Sequence, residues 1–132
     1  MQLASDQPPP ISAPTGAVRR TLQLEGAALA AGALVTYTHL GESWWLFALL
    51  LLAPDLSFAA YLAGPRVGAV VYNLVHSTIG PILLGTFAYL AGAIPAVAVA
   101  LIWLFHIGID RMLGYGLKYG TGFKDTHLGR IG

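Results

Sequence analysis

The chain has 132 residues, of which 56% are hydrophobic and only 10% are charged. Soluble domains usually carry about 25% charged residues, so this composition argues against a fully water-exposed surface and indicates one that faces lipid. The net charge of +1 is uninformative as a sum, and the absence of cysteine excludes disulfide bonds, thiolate metal sites and a cysteine nucleophile.

Residues 1–18 are predicted to form a disordered cytoplasmic tail. They begin with MQLASDQPPPISAPTG, a run rich in proline and polar residues that has too few apolar side chains for a packed core. A signal peptide would need a basic start followed by an apolar stretch, and this run has no such stretch. We therefore expect no signal peptide here.

Four apolar segments follow, and each approaches the ~20 residues that a helix needs to cross a bilayer. They predict transmembrane helices over residues 21–38, 44–63, 67–90 and 94–117. The short connections between them make consecutive helices antiparallel neighbours. The sequence therefore predicts an all-α fold, a polytopic membrane bundle of four transmembrane helices over residues 19–118, with a cytoplasmic C-terminal tail over residues 119–132.

The basic residues give this bundle an orientation. In the predicted topology all of them fall at one end: Arg19, Arg20, Arg66, Arg111, Lys118, Lys124 and Arg130. The connections at the other end have none, and one of them contains Glu42. Because basic residues are concentrated on the cytoplasmic side of membrane proteins, both termini are expected in the cytoplasm, with the protein in the bacterial inner membrane.

Polar and ionisable residues interrupt the apolar segments at one depth. They are Glu25, Asp55, Asn73, His76, His106 and Asp110. A rise of ~1.5 Å per residue places all six in a slab less than ~10 Å thick, in the cytoplasmic half of the bilayer. An ionisable group costs at least ~2.5 kcal/mol to insert at this depth, so each one needs a reason. The pattern predicts one polar site inside the membrane.

Two chemistries suit these residue types. His106 and Asp110 share a helix face at a spacing of four residues, so they could bind a divalent ion such as zinc, with Asp55 and His76 completing the shell. Such an ion would activate a water molecule, and His106 and Asp110 would then be the catalytic residues. The supporting residues around the ligands would be Glu25, Asn73 and Tyr72. The second chemistry is an acid–base or proton relay without a metal.

Simpler interpretations stay open beside these two. His–Asp hydrogen bonds could serve only to hold the bundle together, although polar pairs in membranes contribute only about 0.6 kcal/mol. Glu25 could pair with a nearby arginine, and it lies on a small-or-polar stripe with Gly32 and Thr36 that would allow close helix contact. Arg111 points about 140° away from His106 around its helix, so it is expected to reach the inner membrane surface.

Three runs carry a resemblance to a known family. FALLLLAPDLSFAAYLAGPRVGAVVYNLVHS, WLFHIGIDRMLGYGLKY and GFKDTHLGRIG resemble the bacterial small membrane proteins of domain-of-unknown-function family 4260, over residues 22–132. This resemblance implies no established activity. The order Pro-Asp, His-Ser, then His and Asp one turn apart is also loosely similar to bacterial membrane-bound metal-dependent hydrolases. That similarity implies Asp55, His76 and Asp110 as ligands and His106 as a ligand or general base.

Three hypotheses for function follow. The first is a metal-dependent membrane hydrolase that acts on a lipidic substrate from the cytoplasmic half of the bilayer. The second is a small proton-coupled carrier, which would need a homo-oligomer because four short helices leave little room for a pathway. The third is a structural or accessory membrane protein with a polar core. Membrane lipids are the expected partners in every case, and no nucleic acid is expected.

Overall fold

The computed structural model describes residues 13–131. Its helices are α1 (Gly16–Leu40), α2 (Trp44–Leu50), a 3-10 helix (Ala53–Ala63), α3 (Pro65–His76), α4 (Ile79–Leu90) and α5 (Ile94–Leu113). The strands β1 (Asp125–Thr126) and β2 (Gly129–Arg130) then pair as an antiparallel hairpin. Residues 1–12 of the predicted tail lie outside the described residues, whereas residues 16–18 begin α1.

The helices form four rods, which confirms the predicted all-α fold class. Three rods are long and apolar enough to cross a membrane, namely Trp44–Ala63, Pro65–Leu90 and Ile94–Leu113. The fourth rod, α1, has 25 residues but is less apolar, because it contains Glu25, Thr36 and His39. The structure therefore supports membrane-spanning helices, and the predicted number of four spans is approximate.

Two of the rods are irregular near a proline, which has no backbone donor. The second rod changes to a 3-10 helix, and the third rod is broken into two α-helices. In the second rod, Pro54 follows α2, and the amide of Asp55 donates to the carbonyl of Leu52 at 3.0 Å in a 3-10 pattern. In the third rod, α3 ends at His76 and α4 begins at Ile79, two residues before Pro81. Both irregularities lie beside residues of the predicted polar site.

α1 packs along α5 through small residues. A Cβ atom placed on Gly26 would lie 2.8 Å from the carbonyl oxygen of Gly108, so the two backbones are nearly in contact. Ala30 and Ala33 are buried on α1. Small residues of this kind let helices approach closely in membranes, where van der Waals packing drives association. The close packing fixes α5, which carries two residues of the polar site, against the rest of the bundle.

The segment after α5 is folded against one end of the bundle, here called the basic end. α5 ends at Leu113, four residues before the predicted end, because Gly114 adopts the left-handed conformation (φ 90°) that terminates helices. Residues 115–131 then turn back, and the Nε of Arg19 donates to the carbonyl of Leu128 at 3.0 Å. Arg66 lies beside Gly120 at the same end. The predicted tail is thus an ordered cover.

The opposite end of the bundle holds an apolar core. Tyr37, Ala98 and Ile102 are buried together, and Phe47 packs against them. The Tyr37 hydroxyl donates to the carbonyl of Ser43 at 2.7 Å, so the one polar atom of this aromatic side chain is satisfied. The two ends therefore differ in kind, since one is closed by apolar packing and the other by hydrogen bonds.

Candidate metal centre

Four side chains from three helical segments converge near the basic end. This His/Asp cluster consists of Asp55, His76, His106 and Asp110. The Nε2 of His106 lies 3.3 Å from an oxygen of each carboxylate, and the Nε2 of His76 lies 3.3 and 3.6 Å from the same two oxygens. The two Nε2 atoms are 3.3 Å apart. The structure thus brings together the four residues that the sequence proposed as ligands.

Backbone carbonyls fix the tautomers of both histidines. The Nδ1 of His76 lies 3.0 Å from the carbonyl oxygen of Tyr72, and the Nδ1 of His106 lies 2.7 Å from that of Leu51. A carbonyl oxygen can only accept a hydrogen bond, so each Nδ1 carries the proton that it donates. In the neutral imidazole the Nε2 atom is then an unprotonated acceptor. Both Nε2 atoms point to the centre of the cluster in this form.

Most of the spacings between the four ligand atoms match those between ligands of one metal ion. Bonds of about 2.0–2.1 Å to a tetrahedral ion separate neighbouring ligand atoms by about 3.3 Å. Five of the six distances in the cluster are 3.3–3.6 Å, and all four atoms lie within 4.8 Å of one another. Imidazole nitrogens and carboxylate oxygens are ligands that zinc accepts. The residues present therefore fit a divalent cation.

The irregular second rod supplies the carbonyl that orients His106. In a continuous α-helix the carbonyl of Leu51 would accept from the amide of Asp55. That amide donates instead to Leu52, which leaves the Leu51 oxygen free for the Nδ1 of His106. A freed carbonyl inside a membrane needs a protein partner, and here the partner is His106. The change from α-helix to 3-10 helix in the second rod therefore orients a residue of the cluster that lies on α5.

The break in the third rod is held by two side chains of α5. The indole nitrogen of Trp103 donates to the carbonyl of Val75 at 2.6 Å, and the Nη2 of Arg111 donates to the carbonyl of His76 at 2.9 Å. These carbonyls belong to the last turn of α3, where no following helical amide is available. The two hydrogen bonds therefore fix the end of α3, and with it His76, against the helix that carries His106 and Asp110.

Aromatic rings enclose His76. Its imidazole is fully buried and stacks on the ring of Tyr72, with centroids 3.8 Å apart and planes 11° apart. The ring of Phe58 lies nearly parallel to both rings, with its centroid 5.5 Å from that of Tyr72 and 6.3 Å from that of His76. Tyr72, predicted as a supporting residue, thus contacts a proposed ligand through both its ring and its carbonyl. This packing holds the imidazole in one orientation.

A cavity of about 320 Å³ opens beside the two carboxylates of the cluster. This site cavity is lined by Asp55, Phe58, Tyr72, Asp110, Tyr115, Lys118, Phe123 and Ile131. The lining combines aromatic and aliphatic side chains with two carboxylates and one ammonium group. Four of these eight residues come from the segment after α5, which therefore forms part of the cavity wall.

Asn73 attaches this segment to α3. Its Nδ2 donates to the carbonyl of Lys118 at 2.8 Å, and its Oδ1 accepts from the amide of Lys118 at 2.7 Å. The side-chain amide thus satisfies both backbone groups of one residue 45 positions along the chain. Asn73 was predicted to support the site, and in the structure it supports the cavity wall, with no hydrogen bond to the cluster among the described residues.

Lys118 is the site residue that the sequence did not predict. Its side chain is buried, and its Nζ donates to the carbonyl of Phe123 at 2.6 Å while lying 3.7 Å from the ring centre of that residue. Burial lowers the pKa of Lys118, and the nearby carboxylate of Asp110 raises it in part. Gly114 could have indicated this position in the sequence. A glycine there can end the helix, and Lys118 then belongs to the following loop.

Glu25 and Arg111 occupy places other than those expected. Glu25 is exposed, forms no ion pair within residues 13–131, and lines a second cavity beside Arg111 and His127. Gly32 and Thr36 are exposed too, so the predicted stripe is not the face that packs on α5. Arg111 is half-buried and its two terminal nitrogens bind the carbonyls of His76 and Tyr115. It stays inside because the end of α3 offers it an unpaired carbonyl.

Comparisons with known proteins give a family without an activity. Neither the curated proteins nor the solved structures include a match to this chain. One family model, described as a domain of unknown function (DUF4260), matches residues 19–131, which include α1 from its fourth residue, the other three rods, the His/Asp cluster and the hairpin. The chain therefore belongs to the DUF4260 family.

Proposed function

We propose that the His/Asp cluster binds one divalent cation, zinc in the first instance, and that the protein is a membrane hydrolase acting on an ester bond of a lipidic substrate. One observation carries the metal: four acceptor atoms meet at the centre of the cluster, with no donor between them when the histidines are neutral. Burying acceptors without a compensating partner is costly, and more so for carboxylates. A cation at the centre removes that cost.

Protons are the alternative source of positive charge. If both imidazoles were protonated, the two Nε2 atoms could donate to the two carboxylates at the observed 3.3–3.6 Å. This state would place two imidazolium groups with Nε2 atoms only 3.3 Å apart, at buried positions. Like charges at that distance in a low-dielectric site repel each other strongly. A single divalent ion satisfies the same four atoms without this repulsion.

The chemistry follows from the residues around the ion. A divalent cation held by these four ligands would take a water molecule as a fifth ligand and lower the pKa of that water to about 7. His106 acts as a ligand and not as the base, because both of its ring nitrogens are already engaged. Asp55 faces the site cavity and is the more exposed carboxylate, at 34% against 17% for Asp110. We assign to Asp55 the acceptance of the proton from the attacking water.

The surroundings of the cluster suit a lipidic substrate. An apolar groove of about 310 Å³ includes in its lining Pro54 and Val75, the chain neighbours of Asp55 and His76. The groove is lined by Leu50, Ala53, Pro54, Val75, Val99, Ile102 and Trp103. Lipid chains require such a surface, whereas the ester would lie in the more polar site cavity. The basic residues at the same end favour a cytoplasmic location of that end, with the protein in the bacterial inner membrane and both termini inside.

Metal analysis of the detergent-purified protein tests the proposal. We expect one zinc ion per chain after zinc loading and removal of free metal, and loss of that ion in His106→Ala and Asp110→Asn. His39→Ala is the matched control, because His39 is exposed and lies outside the cluster. Absence of bound metal from the wild-type protein, with or without added zinc, would contradict the proposal and favour the protonated pairs.

A further inference from the structure

We infer that the site cavity takes the phosphate headgroup of a phosphorylated lipid, with Lys118 as the residue that binds the anion. This inference rests on the proposed metal-dependent hydrolase and names its substrate class. It is carried by the position of one buried ammonium group and by the charges around it.

Lys118 is placed in the wall of the cavity and is only 5% exposed. Within residues 13–131 no carboxylate lies within 4.0 Å of its Nζ, so it forms no ion pair in the described part of the chain. Among the described residues, the one hydrogen bond of its Nζ goes to the carbonyl of Phe123, and the rings of Phe123 and Tyr72 lie 3.7 and 4.8 Å from it. An ammonium group has three donors, so two are not taken by any nitrogen or oxygen acceptor in residues 13–131.

The charges of the site leave Lys118 uncompensated. The carboxylates of Asp55 and Asp110 carry two negative charges, and a divalent ion in the cluster neutralises both. Arg111 adds a further positive charge on the other side of His76, where two carbonyls hold it in place. A buried charge without a counter-charge is unfavourable, and an anionic ligand in the cavity would supply that counter-charge.

The other walls of the cavity distinguish an amphiphile from a free anion. Phe58, Phe123 and Ile131 present apolar surface beside the charged groups. Phe123 is also in contact with the rings of Phe58 and Tyr61, at centroid distances of 5.2 Å in both cases. Inorganic phosphate would leave this surface unused, whereas the first carbons of a lipid chain would cover it.

The reaction on such a substrate is a hydrolysis. For a phosphate monoester the water oxygen forms a bond to phosphorus and the bond between phosphorus and the lipid oxygen breaks. The proton taken from water passes to the released lipid alcohol, so the products are an alcohol and inorganic phosphate. Lys118 contacts the phosphate oxygens throughout this exchange.

Ligand binding to the zinc-loaded protein in a neutral maltoside detergent tests the inference. The probes are decylphosphonate, which has no ester bond to hydrolyse, inorganic phosphate and 1-decanol, each measured by titration calorimetry. We expect decylphosphonate to bind most tightly, because it alone contacts both the ammonium group and the apolar wall. Comparable binding of 1-decanol would overturn the phosphate assignment, and equal binding of inorganic phosphate would overturn the lipid assignment.

Lys118→Gln keeps a donor for the Phe123 carbonyl and removes the charge. We expect it to weaken decylphosphonate binding roughly 10- to 100-fold, the usual range for losing a hydrogen bond to a charged group. Lys118→Arg should retain most of the affinity, and Lys124→Gln, at an exposed lysine of the same segment, should retain all of it. Unchanged affinity in Lys118→Gln would overturn the role of this residue.

Two further readouts separate this inference from the metal proposal. The zinc content of Lys118→Gln should equal that of the wild type. Absence of zinc from both proteins would contradict the proposed metal site, and it would not bear on the role of Lys118. If Lys118→Gln does not fold, acetylation of the wild type followed by mass spectrometry decides the question. Decylphosphonate should protect Lys118 and leave Lys124 reactive, and equal modification of Lys118 with and without the probe would overturn the inference.

Discussion

The two ends of the bundle are built by different means. At the end away from the basic residues, Tyr37, Ala98 and Ile102 form an apolar core between regular helices. Between that core and the basic end two helical rods are interrupted near their middles, and side chains of α5 bind the backbone carbonyls that the interruptions leave free. Interrupted helices cost stability in a membrane, and here both interruptions lie beside the His/Asp cluster.

The largest expected effect falls on metal binding at the basic end. His106→Ala removes one of four ligands and should weaken zinc binding at least 100-fold, which is the upper range for losing residues that only support a ligand. The chain should still fold, because the apolar core at the other end is untouched. Competition with a chelator measures the affinity and circular dichroism the fold. Wild-type affinity in this variant would show that His106 is not a ligand.

The next variant changes the apolar core at the other end of the bundle and tests its stability. Tyr37→Ala removes a buried aromatic ring from the core and should lower the free energy of unfolding by about 3–5 kcal/mol. Tyr37→Phe, which loses only the hydrogen bond to Ser43, should cost about 1 kcal/mol. Unfolding in sodium dodecyl sulfate measures both. Zinc affinity should be unchanged in Tyr37→Phe, and a large loss there would contradict the separation of the two ends.

A smaller effect is expected where α5 holds the end of α3. Trp103→Phe keeps an aromatic ring and removes the donor to the carbonyl of Val75, which should cost about 1–3 kcal/mol of stability. Since His76 is the next residue, zinc affinity should fall about 10-fold as well. Trp45→Phe is the control, because Trp45 is exposed on α2. An unchanged zinc affinity in Trp103→Phe would show that this hydrogen bond does not position His76.

The smallest effect concerns the folded segment after α5 and depends on pH. His127 accepts from the amide of Leu117 at its Nδ1, at 2.8 Å, and burial together with the charge of Arg111 lowers its pKa below the ordinary value of 6.5. Glu25 lines the same cavity. A lowered pKa means that the undocked segment binds the proton more tightly. Docking is therefore at full strength above pH 6.5 and weakens as the pH falls below it.

Trypsin cleavage after Lys124 reports this docking. His127→Gln offers an uncharged acceptor at every pH, so the ratio of the wild-type rate to the variant rate cancels the pH dependence of the protease. We expect a ratio near one at pH 7.5 and an increase of several-fold at pH 5.5. A ratio that does not change between these pH values would show that His127 does not hold the segment.

The sequence predicted the cluster better than the geometry that surrounds it. Asp55, His76, His106 and Asp110 could be grouped because the cost of inserting ionisable residues and the rise of a helix place them at one depth. Lys118 could not be placed in this way. Its position depends on the pairing with Asn73, 45 residues away, and long-range contacts of this kind leave no periodic signal.

The helix interruptions were only partly predictable. Pro54 indicated a freed carbonyl in the second rod, but not that the carbonyl of Leu51 would bind His106. In the third rod Gly80 and Pro81 mark a weak point, yet the whole segment 67–90 is apolar enough to suggest one continuous helix. The break could not be predicted without knowing that Trp103 and Arg111 donate hydrogen bonds to the carbonyls at the end of α3.

X-ray absorption at the zinc edge of the zinc-loaded wild-type protein tests the central claim most directly. We expect a shell of four protein ligands and one water molecule, all nitrogen and oxygen at about 2.0–2.2 Å, with the outer-shell scattering of two imidazole rings. His106→Ala should lose the scattering of one ring or the ion itself. A six-coordinate oxygen shell without imidazole scattering would contradict the claim that His76, His106 and the two carboxylates form a metal centre.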